Sequence, residues 1–165
     1  MEYRYIGNSG LRVSEMCLGT MNFGATTSEA VARKMINSAK DAGVNFIDTA
    51  DAYVNGESEK ITGKLIRKDR ADWVLATKVG QQDGTPQRKR GLSRKWMMEA
   101  IDNSLKRLGT DFVDIYYFHL DDLDTPMEES IQAVSDVIRQ GKARYWGISN
   151  YTGWRVAALC GLAQA

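Results

Sequence analysis

Short strand-like runs recur along this chain and constrain its fold more than any other feature. Each run is rich in apolar and β-branched residues, spans at most eight residues, and places such residues on both faces of a strand. The four clearest runs begin near positions 45, 73, 112 and 143, which are 28, 39 and 31 residues apart. Strands that are apolar on both faces are typical of covered parallel sheets, and these spacings suit right-handed crossovers through a helix. The pattern therefore predicts an α/β protein made of repeated β/α units.

Two parallel architectures fit these units: an open doubly wound sheet, or part of a (β/α)8 barrel of the TIM type. The first strand, predicted over residues 16–20, is not followed by a Gly-x-Gly-x-x-Gly motif. That motif carries the phosphate-binding turn of the dinucleotide-binding Rossmann fold, so its absence argues against such a fold.

An N-terminal β-hairpin is predicted from two short extended stretches around the Gly-Asn-Ser-Gly turn at residues 7–10. A chain of 165 residues is long enough for one domain with a substantial core. We predict a single domain over residues 1–165, in which residues 1–15 form a hairpin cap and residues 16–165 form the β/α units.

Helices with one apolar face are predicted between the strands. Ser28 and Ser93 are suitable N-caps for two of them, and Gly109 would end the second. Thr125 and Glu128 have the spacing of a capping box for a third helix. The inner faces predicted for these three helices consist, in chain order, of Val31, Met35 and Ala39; of Met97, Ile101, Leu105 and Leu108; and of Met127, Ile131, Val134 and Ile138.

Composition and charge argue against several classes of function. The 22 basic and 21 acidic residues give a net charge of +1, which provides no electrostatic footprint for nucleic acid or an anionic membrane. The N-terminus lacks the apolar segment of a signal peptide, and no apolar run has the roughly 20 residues of a membrane helix. Cys17 and Cys160 lie far apart without metal-binding spacing. We therefore expect a cytoplasmic protein with reduced thiols that binds neither nucleic acid nor membrane.

Polar residues follow the predicted strands at their carboxyl ends, where parallel α/β proteins build their sites. Asp48 ends the strand that begins near 45, and Tyr53 lies just beyond it. Lys78 is near the end of the next strand, His119 ends the one after, and a polar pair at 149–150 ends the last. Because these strand ends share one rim, we expect the side chains to lie close together.

This set of groups suits acid–base chemistry on a carbonyl oxygen. A phenol has a pKa of roughly 10 in water, and a nearby ammonium group favours its ionised form. Lys78 could supply that ammonium to Tyr53, with Asp48 as the lysine's counter-ion. His119 could donate a hydrogen bond to a substrate carbonyl. Since no side chain delivers hydride, a nicotinamide or a flavin would have to supply it.

A metal site is an alternative for the same acidic region. The carboxylates within residues 121–124, together with His119, Asp48 and Asp51, offer ligands of the kind that Mg²⁺ or Mn²⁺ prefers. However, Lys78 would place a cation where the metal should lie. Residues 121–124 also lead into the N-terminus of a predicted helix, which accounts for their negative charge. We therefore predict no metal ion.

Five stretches of the sequence, in order, resemble the aldo-keto reductase family, and within it the branch of channel-β-like and bacterial reductases. They are residues 18–24 (LGTMNFG), 43–53 (GVNFIDTADAY), 75–78 (LATK), 104–119 (SLKRLGTDFVDIYYFH) and 141–150 (GKARYWGISN). Members of this family are NADPH-dependent enzymes built on a (β/α)8 barrel. The resemblance therefore implies the barrel rather than the open sheet, and a carbonyl reductase that uses NADP(H).

The resemblance also implies roles for individual residues. The family's catalytic residues, an Asp, a Tyr, a Lys and a His, fall on Asp48, Tyr53, Lys78 and His119. Tyr53 would be the general acid in carbonyl reduction, and His119 would orient the substrate carbonyl. Ser149 and Asn150 match the pair that holds the nicotinamide carboxamide. The residues implied for cofactor binding are Gly19, Thr20, Met21, Asp48, Ser149 and Asn150.

The chain supplies about five of the eight β/α units of such a barrel, which typically has ~250 residues. An incomplete barrel would expose two sheet edges and part of its apolar interior, so we expect self-association. The candidate walls of a substrate pocket are residues 21–23, 54–55 and 81–91. Within the last of these, the basic cluster 88–90 is expected to be a solvated part of a loop.

The function predicted from the sequence is the reduction of an aldehyde or ketone to an alcohol by hydride transfer from NADPH. Two alternatives remain at this point. One is a reductase-like regulatory or interaction subunit, and the other is a catalytically impaired fragment that binds nicotinamide nucleotide weakly or not at all.

Overall fold

The computed structural model describes residues 1–81 and 91–164, which form two sheets and five α-helices. The strands are β1 Tyr3–Tyr5, β2 Arg12–Ser14, β3 Cys17–Gly19, β4 Phe46–Asp48, β5 Val74–Val79, β6 Val113–Phe118 and β7 Ala143–Ile148. The α-helices are α1 Glu29–Asp41, α2 Glu57–Ile66, α3 Arg94–Leu108, α4 Met127–Arg139 and α5 Gly153–Gln164. Two short 3-10 helices, Tyr53–Gly56 and Arg67–Asp72, flank α2.

Strands β3 to β7 form one parallel sheet in the order in which they occur in the chain. A doubly wound sheet reverses its strand order at a switch point, whereas a barrel adds each new strand beside the previous one. The sequential order therefore matches a partial (β/α)8 barrel, and the predicted fold class is confirmed. Strands β1 and β2 form the predicted antiparallel hairpin.

Apolar residues cover both faces of the parallel sheet. The larger core lies between the sheet and the helices and includes Ile47, Leu75, Met97, Ile101, Phe118 and Val134. A smaller cluster on the other face consists of Val13, Val74, Ala76 and Ile115. Ile6 and Leu11 of the hairpin pack against this smaller cluster, so the hairpin covers part of the face that would line a barrel's interior.

Helix α3 agrees with its sequence prediction at both ends and along its inner face. The Ser93 hydroxyl accepts a hydrogen bond from the Trp96 backbone amide at 3.4 Å, and Gly109 ends the helix in the left-handed conformation. The four residues predicted for the inner face, Met97, Ile101, Leu105 and Leu108, are all buried. Large side chains at i, i+4 spacing were sufficient to identify this face.

Helix α1 has the predicted N-cap, Ser28, but a different buried face. Val31 and Met35 are 48% and 38% exposed, and the buried residues are Ala32 and Ile36. The prediction was therefore wrong at Val31 and Met35, whereas Ala39, its third residue, is partly buried against the core. Val31 with Met35 and Ala32 with Ile36 are two apolar i, i+4 pairs on adjacent faces, so periodicity alone does not distinguish them. Packing against neighbouring elements such as α2 decides which pair is buried.

Helix α4 departs from its prediction at its start. Its N-cap position is Pro126, without a capping side-chain hydrogen bond, so the predicted capping box of Thr125 and Glu128 is wrong. The Thr125 hydroxyl instead donates to the Asp122 carboxylate at 2.7 Å, because an ionised acceptor forms the stronger hydrogen bond. The buried residues are Ser130, Ala133, Val134 and Val137, so only Val134 of the predicted inner face is fully buried.

Within residues 1–81 and 91–164, no helix combines the length and the apolar character that crossing a bilayer requires. Cys17 and Cys160 are both unpaired thiols.

Candidate functional site

Lys78 lies at the centre of the candidate site. It belongs to β5, in which every residue is buried, and its side chain is only 9% exposed. Its ammonium group forms an ion pair with the Asp48 carboxylate and donates to the Thr49 carbonyl at 2.9 Å. It also donates to the Tyr53 hydroxyl at 3.1 Å. An ammonium group has three donors, and these three acceptors use all of them.

Asp48 ends β4 and faces the same side of the sheet as Lys78. Burial raises the pKa of its carboxyl group, and the adjacent Lys78 ammonium opposes that shift. A carboxylate in such a place is stable only with a partner of opposite charge. The two side chains are therefore the counter-ion pair that the sequence predicted.

Tyr53 follows β4 and begins an unusual turn. The next two residues, Val54 and Asn55, have φ angles of 51° and 53°, and Gly56 has a φ angle of 83°. The left-handed region is unfavourable for a β-branched residue such as valine, and each strained residue of this kind costs on the order of 1–3 kcal/mol. Such a turn persists only where the surrounding structure holds it.

His119 stands beside Tyr53 at the end of β6. The two rings meet edge to face, with centroids 5.5 Å apart and an angle of 84° between their planes. The His119 amide donates to the Val79 carbonyl at 2.8 Å, and its own carbonyl accepts from the Asn150 side chain at 2.8 Å. Burial, reinforced by the Lys78 charge, lowers the pKa of the imidazole to about 4. The ring is therefore neutral near pH 7.

This lowered pKa predicts an unusual titration. His119 is the only histidine in the chain, so one set of imidazole resonances reports its charge. We expect NMR titration to give a pKa of about 4, so that the ring is still neutral at pH 5, where a solvated histidine is mostly protonated. The Lys78→Met variant should raise this pKa only in part, because burial is the larger cause and remains. A titration near pH 6.5 in the unsubstituted chain would contradict the buried environment.

The residues implied for cofactor binding differ in how accessible they are. The position of Gly19 on edge strand β3 has open space where a side chain would begin, and Met21 is 58% exposed. Thr20 is fully buried, and its hydroxyl donates to the Asp48 carbonyl at 3.0 Å. Its amide also donates to that carbonyl, so the side chain and the amide of Thr20 serve the protein's own structure.

Ser149 and Asn150 follow β7 on the same rim as His119. The Asn150 side-chain amide donates to the Ser149 hydroxyl at 2.9 Å as well as to the His119 carbonyl. Asn150 has a φ angle of 60°, a conformation that asparagine tolerates better than most residues. The pair is thus tied to the loop that carries His119.

A cavity of about 430 Å³ opens beside these groups. Its lining consists of Met21, Ala52, Tyr53, Val54, Gln81, His119, Leu120 and Asn150. The prediction that Phe23 forms part of a pocket wall is wrong, because this residue is 1% exposed and packs in the core beneath the helices. Asn22, Asn55 and Gly91 of the predicted wall are also not among the lining residues. Residues 82–90, which include the basic cluster, lie outside the described residues.

Sequence reasoning missed a buried hydroxyl cluster below the site. The Ser58 hydroxyl lies 2.8 Å from that of Thr20 and 3.0 Å from that of Thr49, and it donates to the Thr20 carbonyl at 2.7 Å. The cluster links the first turn of α2 to the segments that follow β3 and β4. Thr49 could have been noticed because it follows Asp48 directly, but nothing in the sequence distinguishes Ser58.

Two of the acidic residues after His119, Asp121 and Asp122, form structural contacts through their carboxylates. Asp121 pairs with Arg155 of α5, and the Asp122 carboxylate accepts hydrogen bonds from the Leu92 amide at 2.7 Å and the Thr125 hydroxyl. In the part of the chain that the structure describes, no three His, Cys, Asp or Glu side chains form a group that could hold a metal ion.

Comparison with known proteins gives one consistent result. The sequence model of the Aldo/keto reductase family matches residues 15–163. The chain is 42% identical to the uncharacterized oxidoreductase YrpG of Bacillus subtilis (strain 168), with 94% of this chain and 51% of that protein covered. It is 40% identical to a probable voltage-gated potassium channel subunit beta of Oryza sativa subsp. japonica, with 99% and 51% covered.

Among solved structures, the chain resembles the holo form of an aldo-keto reductase from Bacillus halodurans. The TM-score is 0.89 at 35% identity, with 99% of this chain and 55% of that chain covered. The chain thus spans about half the length of the curated relatives that it matches.

Proposed function

Because this chain belongs to the aldo/keto reductase family, we propose that it carries the acid–base site of an oxidoreductase that reduces aldehydes or ketones with NADPH. The observation that supports this most directly is the placement of Lys78 between Asp48 and Tyr53. Its ammonium group lies 3.1 Å from the Tyr53 hydroxyl and pairs with Asp48 on its other side. That arrangement suits proton transfer from a phenol.

Tyr53 acts as the general acid in this proposal. Its oxygen accepts a hydrogen bond from Lys78, so its own proton is available for donation into the adjoining cavity. As the proton moves to a substrate oxygen, negative charge develops on the phenol, and the ammonium group stabilises that charge. Asp48 keeps the ammonium charged and oriented within a buried site.

His119 holds the substrate carbonyl in this proposal. Its imidazole is neutral near pH 7, and it therefore has one N–H to donate to a carbonyl oxygen. The edge-to-face contact places it beside Tyr53, so both donors can address one oxygen in the cavity. Two donors at the same oxygen favour the alkoxide-like charge of the transition state over the neutral carbonyl.

The described residues fit the nicotinamide end of a cofactor. Open space at Gly19 and the exposed Met21 border the rim, and Ser149 and Asn150 offer amide and hydroxyl groups for a carboxamide. When bound there, the nicotinamide would supply hydride to the carbonyl carbon. Gly19, Met21, Asp48, Ser149 and Asn150 are the residues proposed to contact it, and Thr20 contributes through the segment it holds in place.

Nucleotide titration combined with a carbonyl-reduction assay on the same sample tests this proposal. We expect NADPH to quench the fluorescence of the chain's four tryptophans in a saturable way and to support reduction of members of an aldehyde and ketone panel. NADH in parallel gives the nucleotide preference. Failure of both nucleotides to bind would contradict the proposal and support an impaired fragment.

A regulatory subunit is the second candidate. Relatives named as probable potassium channel β subunits match almost the whole chain, which supports a role in an assembly. The same titration separates the two candidates, because a purely regulatory protein would bind NADPH without turning over any carbonyl in the panel. Measurable turnover would favour the enzyme.

Self-association and a cytoplasmic location stay predictions. Within the described residues, β3 and β7 are the outer strands of the parallel sheet, and unpaired strand edges can pair with another chain. We expect light scattering to report oligomers and a hydrophobic dye to bind. A stable, monodisperse monomer that does not bind the dye would contradict this.

A further inference from the structure

Glu59 is a fully buried charged residue outside the candidate acid–base set. It lies in the first turn of α2 and is 0% exposed. One carboxylate oxygen accepts from the Thr77 hydroxyl at 2.6 Å, and the other accepts from Nε of Arg107 at 2.6 Å. Glu59 therefore joins helix α2 to strand β5 and to helix α3. A buried carboxylate with two such partners is a specific structural element rather than a solvated helix-end charge.

Thr77, the first partner of Glu59, connects it to the strand segment that carries Lys78. Thr77 precedes Lys78 in β5, and neighbouring residues of a strand point to opposite faces. Thr77 thus anchors the strand from the helix side while Lys78 points to the site. The hydrogen bond from Thr77 to Glu59 fixes this part of β5 relative to α2.

Arg107, the second partner of Glu59, connects it to the turn that follows Tyr53. The Arg107 side chain lies directly over Gly56, so that a Cβ atom at Gly56 would be 2.6 Å from Arg107 Cδ. Gly56 is the last of three consecutive residues with positive φ, and that left-handed turn begins right after Tyr53. Arg107 is itself held by Glu59 and by the Ser104 hydroxyl, which accepts from it at 3.1 Å. The arginine side chain therefore packs against the outer side of the turn and restrains it.

We infer that Glu59 is a positioning residue that sets Tyr53 and Lys78 relative to each other. Through Arg107 it holds the left-handed turn at residues 54–56, which determines where the Tyr53 ring stands. Through Thr77 it holds the β5 segment that carries Lys78. The effect on turnover rests on the proposed function, whereas the effect on geometry does not and can be measured without any reaction.

His119 provides a direct probe of the Tyr53 position. It is the only histidine in the chain, and its imidazole centroid lies 5.5 Å from that of Tyr53. The ring current of Tyr53 therefore contributes to the proton shifts of one assignable imidazole. In protein produced without a histidine tag and held near pH 7, the Tyr53→Leu variant defines the resonances in the absence of that ring current.

The Glu59→Gln variant tests the inference against a matched control. Asp114→Asn makes the same change of carboxylate to amide in another arginine pair, since Asp114 accepts from Arg70 at 2.8 Å, both side chains being 17% exposed. We expect Glu59→Gln to move the His119 resonances most of the way to their positions in Tyr53→Leu, and Asp114→Asn to leave them in place. Unchanged His119 resonances in a folded Glu59→Gln protein would overturn the inference.

A second variant decides the question if Glu59→Gln does not fold. Arg107→Lys keeps the charge beside Glu59 but loses the planar group over Gly56, and the Arg107 side chain is 24% exposed. The expected shift has the same direction as in Tyr53→Leu and a smaller size. No shift in this folded variant would overturn the inference as well.

Kinetics provide a separate readout. In a form that turns over, Glu59→Gln should lower kcat on the order of 100-fold with little change in KM, because a misplaced acid reduces the rate of the chemical step. Asp114→Asn should retain both constants. Absence of turnover in the unsubstituted protein would count against the proposed function alone, because the NMR result still decides the role of Glu59.

Discussion

Replacement of Tyr53 by phenylalanine is expected to lower the turnover of carbonyl substrates by roughly 10²- to 10⁴-fold, the usual contribution of a general acid. The substitution removes only the hydroxyl that accepts from Lys78 at 3.1 Å. The aromatic ring, its contact with His119 and its position below the Lys78 ammonium are retained. The loss should therefore fall on kcat, while NADPH binding measured by fluorescence titration stays close to its original affinity.

The matched control for this variant is Tyr5→Phe, which makes the same change at an exposed position of the hairpin, where the tyrosine is 67% exposed. It should leave turnover and nucleotide binding unchanged. The assays are best made with the longest natural form of the protein, since the chain spans about half of its relatives. Undiminished turnover in Tyr53→Phe would exclude Tyr53 as the acid and would leave Lys78 or His119 to be tested.

The overall fold could be predicted largely from the sequence because its main determinants are local. Runs of apolar residues such as those in β5 and β6 indicate strands that are covered on both faces, and the spacing between them indicates crossover helices. The order of strands in the sheet is a long-range property, however. Periodicity alone left an open sheet and a barrel equally suitable, and only the family resemblance distinguished them before the sequential strand pairing was seen.

Helix faces show where local reasoning fails. In α3 the buried positions carry large apolar side chains, so periodicity finds them. In α1 the buried Ala32 is too small to distinguish itself from its exposed neighbour Val31. Which side of a helix is buried depends on where the neighbouring helix packs, and that information lies elsewhere in the chain.

The candidate site likewise contains residues that the sequence was sufficient to predict and residues that it was not. The convergence of Asp48, Lys78 and His119 follows from their positions at the carboxyl ends of parallel strands, so the sequence was sufficient to predict it. The supporting residues Glu59 and Arg107 were not predictable. An acidic residue in the first turn of a helix normally indicates a favourable interaction with the helix dipole at the surface. Only the structure, in which Glu59 contacts Thr77 of β5 and Arg107 of α3, shows that it is buried.

The same helix pair gives the largest expected effect on stability. Gly63 lies in the middle of α2, where a Cβ atom would be 2.0 Å from the Leu108 carbonyl oxygen at the end of α3. Gly63→Ala must therefore push the two helices apart, because a backbone atom cannot rotate away. Overpacking of this kind costs typically ~1–3 kcal/mol or more, and the better helix propensity of alanine returns only about 1 kcal/mol. Because a contact of 2.0 Å with a backbone atom belongs at or above the upper end of that range, we expect a net loss of roughly 2 kcal/mol, or a melting temperature lower by roughly 4–8 °C.

The same glycine-to-alanine substitution is expected to have the opposite effect on stability at position 161. Gly161 lies within α5, and no atom is near the position that its Cβ would occupy. Alanine there gains helix propensity without a clash, so stability should rise by up to about 1 kcal/mol. Thermal unfolding followed by circular dichroism should therefore move the two variants in opposite directions. A higher melting temperature for Gly63→Ala would show that α2 and α3 are further apart than the structure places them. In that case the contact of Arg107 with Gly56, which depends on the same helix spacing, would lose its support as well.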